Sequence, residues 1–437
     1  MDRLYQYVSS LIMYNGSRKG TILARISEII KGYESNPASG RNPQAEVNDE
    51  IHHLLEVATK YGFTENLWKS YVAFLLATDE NPFSILCEMV GAADGASVNL
   101  IVKNDMLNFY RIYNYDFAKA ESVIGTDCFT LLSHYTSMHK DVNTYNKSVS
   151  DKVKLLREEL DEAKNGDDFF RIVTEFYRRY GVGKFGLNKA FRILGSESSM
   201  QIEPITHTSD VTLSYLVGYE SQKERLIENT EAFVEGRPAN NVLLYGDAGT
   251  GKSTCIKAIL NRYYDRGLRL IEIYKHQFQE LNSVIAQVKN RNYRFIIYMD
   301  DLSFEEFETD YKYLKAVIEG GMEVRPENVL IYATSNRRHL IRETWSDRSD
   351  MTQDEVHHSD TMQEKLSLAA RFGVTISFDK PSKNLYDQIV TELAKGAGIT
   401  LEKEELLAQA NVWSLRNGGY SGRNAEQFII HLLTVKA

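Results

Sequence analysis

The sequence predicts an α/β protein: a five-stranded parallel sheet with a helical lid, preceded by a mostly α-helical N-terminal domain. Three observations carry this expectation. From about residue 211, short apolar runs alternate with helix-periodic stretches, the order that builds a parallel sheet covered on both faces. One run, Asn241 to Tyr245, leads through a glycine-rich loop into a helical pattern with Ile256, Ile259 and Leu260 at helix spacing. Before residue 195 the apolar spacing is helical instead, as in Leu4, Tyr7, Val8, Leu11 and Ile12, and again in Ile22, Ile26, Ile29 and Ile30.

In the first half, residues 34 to 48 read as a polar loop, and helices are expected over 49–61, 65–78, 82–91, 100–119, 126–139, 150–164 and 167–180. No fixed-period repeat is present, and no catalytic constellation stands out. His52-His53 lies on a helical stretch without further ligands at metal spacing, which favours a structural or surface role. Gly181-Val182-Gly183-Lys184-Phe185-Gly186 fits G-x-G-x-x-G, but it follows a helix pattern rather than a strand, so it reads as a turn and not as a dinucleotide fingerprint. The expected organisation is a helical domain over 1–194 that recognises a partner or substrate, a Ser/Pro/Thr-containing linker over 195–210, an α/β core over 211–380 and a helical lid over 381–437.

In the second half a helix ends at Gly236 and the first strand is Asn241–Tyr245. Further strands are expected at Leu268–Tyr274, Tyr293–Met299, Val329–Thr334 and Val374–Phe378, with helices over 276–290, 308–319 and 362–371. After Pro381 two or three helices remain, broken by a Gly-Gly-Tyr-Ser-Gly turn at 418–422.

Composition narrows the function classes. At 437 residues the chain has room for two or three domains, and 43% hydrophobic with 25% charged residues suits a globular protein. Residues 1–195 carry 23 Lys+Arg against 25 Asp+Glu, and the rest 28 against 35, giving −9 overall. Neither half has the basic surplus of a general nucleic-acid binder, although a local basic patch is compatible with these totals. Cys87, Cys128 and Cys255 are too far apart for a zinc site or disulfide framework and read as core thiols, with a lowered pKa conceivable for Cys255 at a helix start. No apolar leader follows Met1 and no apolar run approaches the ~20 residues of a membrane span, so the expected compartment is the cytoplasm, without membrane attachment.

The glycine-rich loop is Gly246-Asp247-Ala248-Gly249-Thr250-Gly251-Lys252-Ser253, followed by Thr254; it fits G-x-x-x-x-G-K-[ST] at every fixed position. Strand, loop and helix in that order is the context a phosphate loop requires. Glycines let consecutive N–H groups converge on an anion, and the following helix start adds partial positive charge. Lys252 is expected to reach the β- and γ-phosphates of ATP, and the Ser253 hydroxyl to ligate Mg²⁺. Arg294 to Asp301 is an apolar run ending in two acids, placed where parallel sheets present ligand-binding groups. Asp300 is expected to hold Mg²⁺ through its water shell and Asp301 to orient or deprotonate the attacking water, with Glu305 as a fallback base. The bland alternative is a pair of solvated acids opening a loop. The acidic, His-containing stretch 354–360 reads as a solvated interface loop, with metal binding as the alternative.

On these motifs the sequence resembles an AAA+ P-loop ATPase, carrying a Walker A loop and a Walker B acid pair. Asn240-Asn241, Asp300-Asp301-Leu302-Ser303-Phe304-Glu305, Gln363-Glu364-Lys365-Leu366-Ser367-Leu368, Arg371-Phe372-Gly373 and Ser421-Gly422-Arg423 narrow the resemblance to a bacterial AAA+ family of unknown cellular role. That resemblance implies four roles. Asn336 matches sensor 1, Arg371 the arginine finger, Arg423 sensor 2, and Tyr219 the segment beside adenine. Arg337, Arg338 and Arg342 are rival fingers. A finger acting on a neighbour implies a homo-oligomer, and the implied activity is Mg²⁺-dependent ATP hydrolysis coupled to remodelling or assembly of a protein partner. The sequence departs from relatives in having Asp301 where many have Glu, and Ala369-Ala370 where Ser-Asp is usual. The paired Asp also resembles replication initiators, so a DNA-acting loader or initiator-like ATP switch is the alternative. Salt-dependent DNA binding would separate the two.

Overall fold

The computed structural model describes residues 3–35, 42–92, 97–136, 145–195, 200–304, 310–319, 326–336, 340 and 368–436. The chain divides into two compact units, Met1–Asn188 with Pro204–His207, and Lys189–Glu203 with Thr208–Ala437.

The first unit is helical: α1 (Leu4–Ser9), α2 (Ile22–Ser35), α3 (Pro43–Tyr61), α4 (Leu67–Thr78), α5 (Pro82–Val90), α6 (Ser97–Tyr113), α7 (Ala118–Ile124), α8 (Cys128–Leu132), α9 (Lys147–Asp161), α10 (Gly166–Tyr180) and α11 (Gly183–Leu187). Asparagines set many of the starts. Asn42, Asn66, Asn81, Asn146 and Asn165 each accept a backbone N–H from the first turn, satisfying donors the helix leaves unpaired. The first of these moves a boundary: the stretch read as a polar loop to residue 48 becomes helix from Pro43, because proline fits the first helical position behind an Asn cap. One apolar core, including Leu54, Val72, Phe109, Leu156 and Phe176, gathers these helices.

The second unit holds a seven-stranded sheet. Its strands are β1 (Ala190–Leu194), β2 (Gln201–Pro204), β3 (Val242–Gly246), β4 (Leu268–Glu272), β5 (Arg294–Met299), β6 (Val329–Ser335) and β7 (Val374–Phe378). The order is β2-β1-β4-β5-β6-β3-β7, and the pairs from β1 through β7 are parallel. The five strands expected from the sequence are all present. β1 and β2 extend the edge beyond them, β2 lying within the stretch read as a linker. Among the described residues the sheet is accompanied by α12 (Glu220–Val234), α13 (Lys252–Tyr263), α14 (Leu281–Val288) and α15 (Tyr311–Glu319); most of the helix expected over 362–371 lies outside the described residues. The lid is α16 (Lys383–Gly396), α17 (Lys403–Arg416) and α18 (Gly422–Lys436), around a core of Tyr386, Val390, Ala410, Ala425 and Phe428.

Two registers align the central strand ends. β6 separates β3 from β5, with Leu244 opposite Thr334 and Met299 opposite Ala333. β5 ends opposite Ala333, two residues before the end of β6, and β3 ends one residue past Tyr245, the partner of Ser335, so the residues after the three strands share one rim. Among the described residues no helix is long and apolar enough to cross a membrane.

Candidate nucleotide-binding site

β3 delivers the chain into loop 246–251, whose backbone admits no side chain at two points. Gly246 has φ 132°, and a Cβ there would stand 2.2 Å from the carbonyl oxygen of Phe378 on β7. Gly251 has φ 93°, and its Cβ would lie 2.2 Å from Leu216. The loop is pinned on both sides. Asp247 donates its N–H to Phe378 O at 3.1 Å and accepts from Lys380 N at 3.1 Å through Oδ2, while Thr250 Oγ1 donates to Asp247 O at 2.9 Å.

Lys252 opens α13 and is 6% exposed. Its Nζ donates to Gly246 O at 2.9 Å, Asp247 O at 2.6 Å and Asn336 Oδ1 at 3.1 Å. Burial pushes its pKa down, and the carboxylates of Asp301, Asp247 and Asp300 only partly offset that.

The acid pair follows β5. Asp300 Oδ1 accepts from Ser253 Oγ at 2.7 Å and from Thr334 Oγ1 at 2.5 Å. Burial raises its carboxyl, but these hydrogen bonds and the nearby Lys257 ammonium outweigh it and hold the group below the usual carboxylate range. Asp301 is one of few non-glycine residues in the left-handed region, at φ 51°. Its N–H donates to Thr334 Oγ1 at 2.9 Å, and its Oδ1 accepts from Asn336 Nδ2 at 2.7 Å. Adjacent in sequence, the two acids face different partners.

Tyr219 also has a left-handed backbone, at φ 58°. Its hydroxyl donates to Asp379 O at 2.8 Å and its ring lies 5.2 Å from that of Phe378. Burial pushes the phenol up to about 12. The lid closes the other side: Arg423 donates its N–H to Gly249 O at 3.2 Å. Between these walls is a cleft of ≈ 560 Å³, lined by Ala248 to Thr254, both acids, Thr334, Asn336, Tyr219 and Arg423. The volume is in the range of small-molecule sites.

The donor set fits Mg²⁺. A serine hydroxyl and a carboxylate 2.7 Å apart are hard oxygen groups, and Mg²⁺ takes one or two such protein ligands while phosphates and waters supply the rest. Among the described residues there is no cluster of three His, Cys, Asp or Glu side chains able to hold a metal. His52 and His53 instead lie near Glu56 and Glu50 on α3.

Of the expected site residues, Gly246, Asp247 and Arg371 do not line the cleft; the first two lead into the loop behind it, and Arg371 is exposed, after the helical turn at 368–370. Glu305, Arg337, Arg338, Arg342 and the stretch 354–360 lie outside the described residues. Thr334 is a site residue that no sequence motif marks. No local signal marks it, because its partners Asp300 and Asp301 lie at the end of another strand.

The family described as "protein of unknown function (DUF815)" matches residues 187–436. No curated protein matches the chain. Among solved structures, the chain is similar to the RuvB Holliday junction branch migration motor of Thermotoga maritima, at 16% identity and TM-score 0.37 over 52% of this chain and 67% of that one. It is also similar to the FIGL-1 AAA domain in complex with ADP, at 17% identity and TM-score 0.35 over 51% of this chain and 72% of that one. The parallel order β4-β5-β6-β3-β7, the phosphate loop after β3, the acid pair after β5 and the lid make the second unit an AAA+ P-loop fold.

Proposed function

The chain belongs to the DUF815 family, and from that premise we propose that it binds ATP with Mg²⁺ and hydrolyses it, as a homo-oligomer that acts on a protein partner. The observation that carries the reading is the convergence of Lys252, Ser253, Asp300, Asp301 and Asn336 on one cleft at the ends of β3, β5 and β6.

Each residue has a defined task in that chemistry. The loop's N–H groups and the start of α13 cradle the phosphates. Lys252 exchanges its carbonyl partners for phosphate oxygens. Ser253 and Asp300 would hold Mg²⁺, which would supply charge neutralisation at the phosphates. Asp301 takes up or orients the attacking water, and the Asn336 amide fixes Asp301. Positioning and charge stabilisation supply most of the acceleration. Tyr219 borders the base, and Arg423 carries the lid's response to nucleotide. Arg371 reaches the γ-phosphate held by a neighbouring copy, a role its exposed place outside its own cleft supports. The helical first unit recognises the partner.

The test is nucleotide binding and phosphate release by the purified chain over a range of protein concentrations. Turnover per chain should rise with concentration, and Lys252→Ala should weaken ATP binding at least tenfold, about the effect of one charge-assisted hydrogen bond. Unchanged ATP affinity in that variant would remove the central assignment.

A further inference from the structure

We propose that Thr334 is a positioning residue for both acids of the site, so that its single hydroxyl sets the Mg²⁺-holding and water-activating groups together. The inference rests on the ATPase reading above.

The β5–β6 ladder ends at Met299 opposite Ala333, which leaves the next residues, Asp300 and Thr334, side by side. From there Thr334 bonds three consecutive residues that follow β5. Its Oγ1 donates to Asp300 Oδ1 at 2.5 Å, the same oxygen accepts the N–H of Asp301 at 2.9 Å, and its carbonyl accepts the N–H of Leu302 at 2.7 Å. The polarity is forced. A backbone N–H can only donate and an ionised carboxylate can only accept, so the hydroxyl proton goes to Asp300 and a lone pair faces Asp301. Thr334 is 2% exposed, so its own hydroxyl is largely shielded from water.

The consequence is geometric. An L-residue in the left-handed region is strained, and Asp301 has no glycine-like freedom. The bond from its N–H to Thr334, with that of Leu302 behind it, holds the turn. The turn sends the Asp301 carboxylate to Asn336 while that of Asp300 stays on Ser253. Without the hydroxyl, Asp300 keeps one of its two hydroxyl donors and the Asp301 N–H loses its acceptor. Serine preserves both bonds; valine preserves the shape and removes both.

The experiment compares Thr334→Val with Thr334→Ser. A fluorescent ATP analogue is titrated with and without Mg²⁺, alongside kcat, KM and thermal melting. Thr334→Val should bind nucleotide without Mg²⁺ as the parent does, but lose about tenfold or more of the affinity that Mg²⁺ adds. Its kcat should fall about tenfold to a hundredfold with little change in KM, the usual cost of removing a group that orients a metal ligand. Thr334→Ser should restore the Mg²⁺ response and most of kcat. Thr334→Ala replaces the valine variant if that one melts below the assay temperature. A hydroxyl-free variant with parental Mg²⁺ response and kcat would overturn the inference and leave the ATPase reading standing. So would a serine variant as impaired as the valine one. A parent chain that binds no nucleotide would overturn both.

Discussion

Lys252 donates from Nζ to Oδ1 of Asn336 at 3.1 Å, so the phosphate-loop lysine and the residue matched to sensor 1 are directly bonded. The amide of Asn336 then donates from Nδ2 to Asp301 at 2.7 Å. One side chain thus links the cation expected at the phosphates to the acid expected at the water. Its two ends are not interchangeable, since the oxygen must face the ammonium and the NH₂ the carboxylate. Asn336→Ala should therefore leave ATP affinity within a few-fold and lower kcat by about tenfold to a hundredfold, the scale of one lost transition-state contact. Steady-state phosphate release beside equilibrium nucleotide binding checks this. Equal losses in both would make Asn336 a binding residue instead.

Much of that arrangement is legible in the sequence, and the reasons differ by residue. The five strands expected from the apolar runs are present within two residues at each end: β3 to β6 are central parallel strands that show as apolar stretches, and β7, at the sheet's edge, shows as alternation of Val374, Ile376 and Phe378 with Thr375 and Ser377. β1 and β2 escape such a reading because they form no continuous buried run: β1 exposes Arg192 and Leu194, and the four-residue β2 ends on a proline at the sheet's edge. Loop 246–253 and the acid pair are contiguous and so leave a motif. The role of Thr334 is set by a ladder to a strand more than thirty positions earlier, and no local pattern marks such a pairing. The asparagine caps do leave a local signal, but at Asn42-Pro43 the polar composition around it resembles a loop and hides the helix start.

The position of Arg371 makes a prediction about assembly. It is exposed and does not line the cleft of its own chain, so its proposed partner is a neighbouring copy's γ-phosphate. Arg371→Ala should retain ATP binding and lose hydrolysis by about 10³-fold, the lower range measured for arginine fingers. Mixing it with the Lys252→Ala chain is the sharper measurement. One chain then supplies an intact cleft and the other an intact finger, so turnover should reappear in the mixture. Absence of recovery, with both chains shown to co-assemble, would place the finger elsewhere.

Thiol chemistry separates the three cysteines. Cys87 and Cys255 are buried, and burial pushes each thiol up to about 12. At pH 8 such a thiol is about 10⁻⁴ thiolate, the form that reacts with alkylating agents. The start of α13 therefore does not activate Cys255. Cys128 is half-buried, beside Thr126 Oγ1 at 2.9 Å. Iodoacetamide at pH 8 should label Cys128 first in the native chain, with Cys87 and Cys255 reacting only after denaturation. Peptide mass spectrometry reads the order, and early labelling of Cys255 would contradict the packing around α13.

The helical unit contains a polar clamp with a measurable stability cost. Asp105 on α6 is fully buried, and its carboxylate accepts the N–H groups of Ile12, Met13 and Tyr14 at 2.7 to 3.3 Å. These residues follow α1, where the chain leaves helical hydrogen bonding and its donors need another acceptor. Burial raises the Asp105 carboxyl, and the three N–H bonds work against that rise. Asp105→Ala removes the acceptor and leaves three part-buried to buried donors unpaired, at a cost of about 2 to 3 kcal/mol. Asp105→Asn keeps one acceptor oxygen and should cost less. The expected outcome is a lower urea midpoint for loss of the helical signal, largest for alanine. Nucleotide affinity of the folded protein should stay at the parental value, because the clamp and the phosphate loop belong to different units. Equal midpoints for Asp105→Ala and the parent would show that solvent satisfies those donors instead.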